Sequence, residues 1–469
     1  MDVLYDIVVT INTYLSNYVL IILLVAMGLV FTIRTKFVQV RFFGEGIRRV
    51  FGEFNLFGGK KKSGISSFQA LATAVAAQVG TGNIVGACGA ILIGGPGAIF
   101  WMWLIAFLGM ATNYAEAVLA QKTREVDEDG TVHGGPVYYI TKAFTGAGGK
   151  FLAGFFAVSI ILALGFMGCM VQSNSIAATC NTAFGIPTWV MGLLIVFFAG
   201  LVFLGGVQRL ASVTEKLVPI MAIIYLIGGL VILVLNIQNL PGAFALIFQC
   251  AFNPQAEVGG VTFGIIAAIS QGAKRGLFSN EAGMGSTPHA HALADVKDPH
   301  HQGTVAMIGV FIDTFVVVTM TALVVISVLY VGGPLSVDAT GLTEGIDKTN
   351  MAQLAFGSFF GSTFGNSFVA ICLLMFAFST ILSWNLFAKL NVEYLFGRFG
   401  KMPVKVFSVI ALIFIFLGSL LSNDLVWELA DMFNQLMVIP NAIALFAMSG
   451  VVAAVVKQHH HGEKVELDK

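Results

Sequence analysis

AAQVGTGNIVG, Ala76–Gly86, lies in the middle of an apolar run that extends from about Phe68 to Gly94. Two glycines bracketing a threonine, with asparagine next, make poor helix, because each glycine costs roughly 1 kcal/mol relative to alanine. The stretch reads as an interruption in a membrane helix. At mid-bilayer depth, freed backbone groups are tolerated only where they are buried in protein or line a wet cavity. The interruption therefore points to a polar site inside the membrane.

Composition agrees with that reading. Hydrophobic residues make up 57% of the 469 residues and charged residues 11%, with a mean hydropathy of +0.87, whereas soluble chains carry roughly 25% charge. The class is an all-α polytopic membrane protein. The formal net charge of +0 gives no reason to expect a nucleic-acid partner. The start, MDVLYDIVV, has Asp2 and Asp6 but no basic region ahead of its apolar run, which predicts a retained first helix rather than a cleaved signal. Cys88, Cys169, Cys180, Cys250 and Cys372 lack CxxC spacing and read as packed thiols rather than metal ligands or disulfides.

A spanning helix needs about 20 apolar residues. That rule predicts about eleven, at roughly 18–34, 67–94, 97–121, 150–178, 187–206, 213–236, 259–286, 302–331, 365–391, 403–421 and 432–456. The distribution of Lys and Arg orients them. Arg34, Lys36, Arg41, Arg48, Arg49, Lys60, Lys61 and Lys62 follow the first helix, and Lys457, Lys464 and Lys469 lie at the end, whereas the alternate connections carry Lys348 alone. The expected topology has an external N-terminus and a cytoplasmic C-terminus, in a bacterial inner membrane or a plasma membrane.

The chain divides into residues 1–64, an N-terminal helix and basic connection; 65–238, a first five-helix repeat; 239–457, a second with its external loops; and 458–469, a polar tail. Residues 122–149 read as a cytoplasmic surface element. Pro241–Pro254 reads as a short interfacial helix, and the 332–364 loop as an external cover.

A second interruption is expected in VTFGIIAAISQGAKRGLFSNEAGMGS, Val261–Ser286, where Gly272 and Gly276 flank Ala273, Lys274 and Arg275. Fixed charges at that depth cost at least about 2.5 kcal/mol each, so partners are required. Asp313, mid-span in GVFIDTFVV, and Glu281 are the acids expected to pair with them, either as structure or as a proton relay. The two interrupted helices stand five apart, so they enter the membrane from opposite sides. Paired interruptions in two halves mark a binding site at the repeat interface.

Half-helices starting near Gly82 and Gly276 would turn N–H groups to the midplane, which suits a carboxylate. Those ending near Val79 and Ser270 would turn carbonyls there, which suits Na⁺ or an ammonium group. Together they outline a cradle for a small zwitterion.

Gln78, Thr81 and Asn83 serve either as substrate contacts or as polar glue between helices. Gly80, Gly82 and Gly276 would bring backbone to the ligand. Phe278 is placed to close over it, with Phe166 and Met170 on an opposite wall, and each reads equally as packing. His289, His291, His300 and His301, with Asp295 and Asp298, form a histidine-rich cluster outside the cavity without the HExxH spacing of a metal site. His459–His461 reads as part of a polar tail, and Glu116 as structural.

FQALATAVAAQVGTGNIVG and GAKRGLFSNEAGMGSTPHAHA closely resemble the signature stretches of the alanine or glycine:cation symporter family. The resemblance implies a sodium-coupled importer of small neutral amino acids, with no cofactor beyond Na⁺ as coupling ion. It also implies one extra helix ahead of the five-plus-five inverted repeat of the amino acid, polyamine and cation transporter superfamily. GTGN, Gly80–Asn83, is similar to the GxGN of neurotransmitter:sodium symporters. By that likeness the carbonyls of Ala76 and Val79 would hold sodium with Ser379 and Thr380 of FAFSTILSW. Trp384, four residues beyond Thr380, shares its helical face and reads as a pocket wall or an interface anchor.

Three other functions stay in view. Proton coupling or exchange on the same fold would use Asp313 or Glu281. A membrane-embedded metalloenzyme would use His289 and His291. A channel fits paired interruptions less well than an alternating site does.

Overall fold

A computed structural model describes residues 2–52, 64–253, 255–258, 261–331, 333–335, 345–421 and 423–460. Lys60–Lys62, Lys464, Lys469 and His461 lie outside them, as do residues 332 and 336–344 of the 332–364 loop. The chain runs through α1 (Tyr5–Arg34), amphipathic α2 (Phe43–Gly52), α3 (Ser67–Gln78) and α4 (Gly82–Gly94), bent by 48° from one another. Then come α5 (Ala98–Thr123), α6 (Ala147–Phe184), α7 (Thr188–Phe203), α8 (Gly206–Leu235), α9 (Leu240–Phe252), α10 (Ile265–Asn280) and α11 (Pro288–Ala292). The chain finishes with α12 (Pro299–Tyr330), α13 (Met351–Phe360), α14 (Ser362–Phe396), α15 (Met402–Gly418), α16 (Asn423–Ala447) and α17 (Ser449–His460). Two short antiparallel hairpins, Glu125–Val126 with Val132–His133 and Gln255–Val258 with Val261–Gly264, sit in connections.

Eight helices among the described residues are long and apolar enough to cross a membrane, and the bent pair α3 and α4 makes a ninth. α7 and α10, with 16 residues each, stand where two further spans are expected. α5 is the central post, buried on almost every side and packed against α1, α10 and α12. α3 packs on α8, α12 and α14. The exposed faces are apolar, as on α7 with Leu193, Leu194, Phe197, Phe198 and Leu201. That distribution is what a hydrocarbon solvent selects.

The first break follows from local chemistry. A capping box starts α3: the Ser66 hydroxyl accepts from the Gln69 amide, and the Ser66 amide donates to the Gln69 side chain. The helix ends at Val79, with φ −81° and ψ 87°.

The second break is not where the glycines suggest. α10 runs unbroken through Gly272 and Gly276. A Cβ on Gly272 would lie 2.5 Å from Trp101 Cβ and 2.8 Å from the Ala98 carbonyl oxygen. Its glycine serves close approach of α10 to α5. Helix geometry fails instead after Asn280, where Glu281 (φ 59°), Gly283 (φ 87°) and Gly285 (φ 82°) take left-handed conformations before Pro288 opens α11. The two arms therefore differ in length, 12 residues in α3 against 16 in α10. The half-helix ending expected at Ser270 and the beginning expected at Gly276 do not exist.

Buried amides freed by the second break are taken by a distant side chain. Glu116 of α5 accepts from Gly283 N–H at 3.0 Å and Gly285 N–H at 2.9 Å. Asn441 of α16 donates to the same carboxylate at 2.7 Å and to the Gly283 carbonyl at 2.9 Å, and the Tyr139 hydroxyl donates to Asn441. Backbone links also tie the start of α3 to the segment after α11: Ile65 N–H donates to Leu293 O at 2.9 Å, and Asp295 N–H to Ile65 O at 2.8 Å.

Three other boundaries move. α1 starts well before residue 18, and hairpin residues precede α10, which begins at Ile265 rather than at 259. α16 starts at Asn423 rather than at 432, which brings Trp427, Glu428 and Asp431 into the bundle. His459 belongs to α17 and not to an unstructured tail.

Glu116→Ala leaves two buried amides and Asn441 without their acceptor, a loss of about 1–3 kcal/mol for each unpaired group. Thermal unfolding in detergent is expected to show a marked fall in melting temperature for Glu116→Ala and a smaller one for Glu116→Gln, which keeps one acceptor. Equal, unchanged melting temperatures would remove the cap from the stability of the break.

Candidate functional site

The two breaks face each other. Gln78 Nε2, at the end of α3, donates to the Asn280 carbonyl at the end of α10 at 2.7 Å. A Cβ on Gly82 would lie 3.1 Å from both Phe278 Cδ1 and Ser279 Cα, so glycine lets the two breaks approach without displacing either. The amides at the first break are held by side chains: Gly80 N–H donates to Asn83 Oδ1 at 2.8 Å and Thr81 N–H to Gln172 Oε1 at 3.0 Å. Gln78 Oε1, Thr81 Oγ1 and Gln172 Nε2 remain buried without a protein partner. Buried polar atoms of that kind are rare in a finished core, and here three cluster at one break.

Asp313 of α12 sits behind them. It accepts from Asn83 Nδ2 at 2.6 Å, from Ser279 Oγ at 2.9 and 3.0 Å, and from Thr314 Oγ1 at 2.8 Å, while Asn280 Nδ2 donates to Thr314. Among the described residues no Lys or Arg pairs with it.

Hard oxygens converge on the other side of α3. Thr380 Oγ1 donates to Ala76 O at 2.8 Å, and Ser379 Oγ lies 3.5 Å from the same carbonyl. A Cβ on Gly80 would lie 2.3 Å from Thr380 Oγ1 and 3.1 Å from Gln172 Oε1. Hydroxyl and carbonyl oxygens are the donors that a hard cation takes.

Aromatic rings bound the space beside Gly82. Phe278 meets Trp384 edge-on at 5.7 Å and Trp427 at 4.9 Å. Trp384 Nε1 donates to Glu281 Oε1 at 2.5 Å, and Ser286 donates to the other oxygen. Beyond Trp427 lies an ionic layer. Arg275 grips Asp431 with two nitrogens at 3.2 and 3.1 Å, and Lys274 reaches Asp431 at 2.8 Å and Glu428 at 3.5 Å. The Arg275 guanidinium lies 4.6 Å from the Trp427 ring centroid, the Lys348 ammonium 5.2 Å.

The sodium:alanine symporter family matches residues 1–469. The sodium/alanine symporter AgcS of Methanococcus maripaludis is 40% identical over 459 residues, 97% of each chain. GlnT of Bacillus subtilis, described as a "probable sodium/glutamine symporter", is 38% identical over 467 residues, covering 100% of this chain and 93% of its own. The chain belongs to the sodium:alanine symporter family. A member of that family is a multi-pass membrane transporter that carries an amino acid with a cation. The fold is shared with MhsT, crystallised with L-phenylalanine, at a TM-score of 0.54 and 15% identity over 85% of this chain and 90% of that one. It is the amino acid, polyamine and cation type, with two discontinuous helices.

Several expected residues of this family member fall elsewhere. Lys274 and Arg275 pair with Asp431 and Glu428, not with Asp313 or Glu281. Gly276 faces Met102 and Ile105 of α5 within an intact helix. Phe166 packs on Phe407 and Phe414, and Met170 against Gly418, both away from the breaks. The histidines part company: His289 stacks between Phe156 and Phe387 and bonds to Asn391, His291 bonds to Gln302, and His300 turns to Tyr114. The metalloenzyme reading thereby loses its paired ligands.

A cavity of about 450 Å³ lies against the outer face of α3 between α2, α8 and α12. Its lining is apolar throughout, so it cannot solvate a zwitterion. Sequence reasoning missed Gln172, Trp427 and Asp431. The run QSNS, Gln172–Ser175, inside an apolar helix was the available signal for the first.

Gly80→Ala must displace Thr380 Oγ1 or Gln172, an overpacking cost of about 1–3 kcal/mol. Gly86→Ala meets nothing closer than 3.8 Å. Thermal stability is expected to fall for the first and hold for the second; equal behaviour would mean that the Gly80 approach is not constrained.

Proposed function

We propose that this protein imports a small neutral amino acid, alanine or glycine, together with Na⁺, by alternating access around the facing breaks. The observation that carries the reading is the Gln78–Asn280 contact, which sets two helix ends against each other beside an oxygen cluster and an aromatic wall. Gln78, Gly80, Thr81, Gly82, Asn83, Phe278 and Trp384 make up the proposed substrate site. Ala76 O, Val79 O, Ser379 and Thr380 make up the proposed sodium site. Phe278, Trp384 and Trp427 put apolar bulk beside Gly82, which favours a small side chain.

In this reading α7 and α10 complete eleven spans, the repeats are 65–238 and 239–457, the N-terminus is external and the C-terminus cytoplasmic. The ionic layer over Trp427 then closes the external side. Sodium and substrate raise each other's affinity by the same factor, as linkage requires. Each Na⁺ entering at −100 mV adds about 2.3 kcal/mol of driving force.

Uptake of labelled alanine into cells or proteoliposomes tests the reading. It is expected in sodium and absent in choline at the same pH; equal uptake in both would overturn sodium coupling. Thr380→Ala is expected to raise the half-maximal sodium concentration about tenfold, equivalent to ~1.4 kcal/mol, with little change in maximal rate. An unaltered sodium dependence would put the ion elsewhere.

One observation favours a second reading. Asp313 is a buried carboxylate between the breaks, held by three hydrogen-bond donors and by no cation among the described residues. A proton there could replace sodium in coupling. At fixed sodium, an imposed inward proton gradient is expected to leave uptake unchanged. Stimulation by the gradient in the parent, lost in Asp313→Asn, would move the coupling to protons.

A further inference from the structure

Away from the breaks, three segments distant in sequence meet at the end of the bundle that carries α2. Glu45 of α2, His300 of the first turn of α12 and His459 of the last turn of α17 each turn a ligating atom inward, and these atoms all lie within 4.8 Å of one another. His300 Nε2 and His459 Nε2 are each 3.7 Å from Glu45 Oε1. That is too long for a hydrogen bond and near the roughly 3.3–3.5 Å that separates ligands 2.0–2.1 Å from a tetrahedral ion.

His300 is fully buried, and its Nδ1 lies 2.7 Å from the Tyr114 hydroxyl. Its Nε2 has no hydrogen-bond partner. A buried imidazole oriented through one nitrogen, with the other bare and 3.7 Å from a carboxylate oxygen, has the form of a metal ligand with its outer support in place.

We propose that Glu45, His300 and His459 form a binding site for a divalent metal ion of the zinc type. Two imidazoles and a carboxylate are a ligand set that Zn²⁺ takes, leaving a fourth position for water. Tyr114 fixes the His300 tautomer by accepting its Nδ1–H. Arg49 donates through Nε at 3.0 Å and Nη2 at 2.5 Å to Glu45 Oε1, the oxygen that faces both imidazoles, and so orients the carboxylate into the site. Phe42 closes one side, edge-on to His300 at 4.7 Å and to His459 at 5.8 Å.

One rearrangement is required. The imidazole rings stack at 3.7 Å with 18° between their planes, so their lone pairs run side by side rather than converging. His459, whose side chain is 25% exposed, turns about its side-chain bonds to meet the ion, and Asp298, 3.3 Å from its Nδ1, becomes its outer support. An ion held there ties α2 to the start of α12 and to the last described helix of the chain.

Zinc titration of the purified full-length protein against a chromophoric chelator tests the site. One saturable ion per chain is expected. His300→Gln and Glu45→Gln are each expected to weaken it by at least about tenfold, and Tyr114→Phe by about tenfold, as loss of an outer hydrogen bond does. The double variant His460→Ala, His461→Ala is expected to bind as the parent does.

Zinc retained in His300→Gln and lost in the double variant would mean chelation by the histidine run alone, and would overturn the proposal. Absence of saturable binding in the parent would also overturn it. Monodisperse elution and an unchanged melting temperature without zinc establish that each variant is folded. Should His300→Gln fail that check, Glu45→Gln and Tyr114→Phe carry the same comparison.

Discussion

A broken helix can persist in hydrocarbon only if other helices supply partners for the backbone groups it frees. Both breaks here meet that constraint with side chains from far along the sequence. Gln172 of α6 takes the Thr81 amide, and Glu116 of α5 takes the amides of Gly283 and Gly285. Each unpaired amide would cost about 1–3 kcal/mol. The positions of α5 and α6 are therefore set by the breaks as much as by apolar packing, and the Glu116–Asn441 contact draws α16 into the same arrangement.

The two breaks are capped by different chemistry, and the difference has an electrostatic consequence. At the first, the caps are the neutral amides of Asn83 and Gln172, which satisfy hydrogen bonds without cancelling the positive end of α4. At the second, the cap is a carboxyl group. A substrate carboxylate would find its anion site at the first break already polarised in its favour and at the second already occupied. The proposed cradle is thus asymmetric, with the substrate's acidic end beside Gly82 and its environment at α10 supplied by the Phe278 ring and the Asn280 carbonyl. Gln78, which bonds to Asn280 and keeps Oε1 bare, joins the two.

The first break was legible because the signal for it is local: Gly80, Gly82 and Asn83 end the helix within a few residues. The second was misplaced because glycine has two uses in membrane helices that sequence alone does not separate. Gly272 permits close helix packing against Ala98 and Trp101, whereas Gly283 and Gly285 permit positive φ. The better marker was the combination of Gly283, Gly285 and Pro288, since proline opens the next helix. Ion-pair partners were illegible for another reason. Asp431 lies 156 residues from Arg275, and α16 was drawn to start one residue after it.

Continuity of α10 past Gly272 and Gly276 gives the ionic layer its leverage. Arg275 and Phe278 are three residues apart on one helix, so they share a face and move as one body. Trp427 and Asp431 are four apart on α16 and do the same. Arg275 holds Asp431 while Phe278 holds Trp427, and Arg275 also stacks on Trp427. Parting α10 from α16 therefore breaks the ion pair and opens the aromatic wall in one motion. The charged contact does not make that motion prohibitive, because a buried ion pair gains little over its own desolvation. Water between parted helices would rehydrate Lys274, Arg275 and Asp431, and the apolar contact of Phe278 with Trp427 would be left as the part that a ligand at the proposed site beside Gly82 biases.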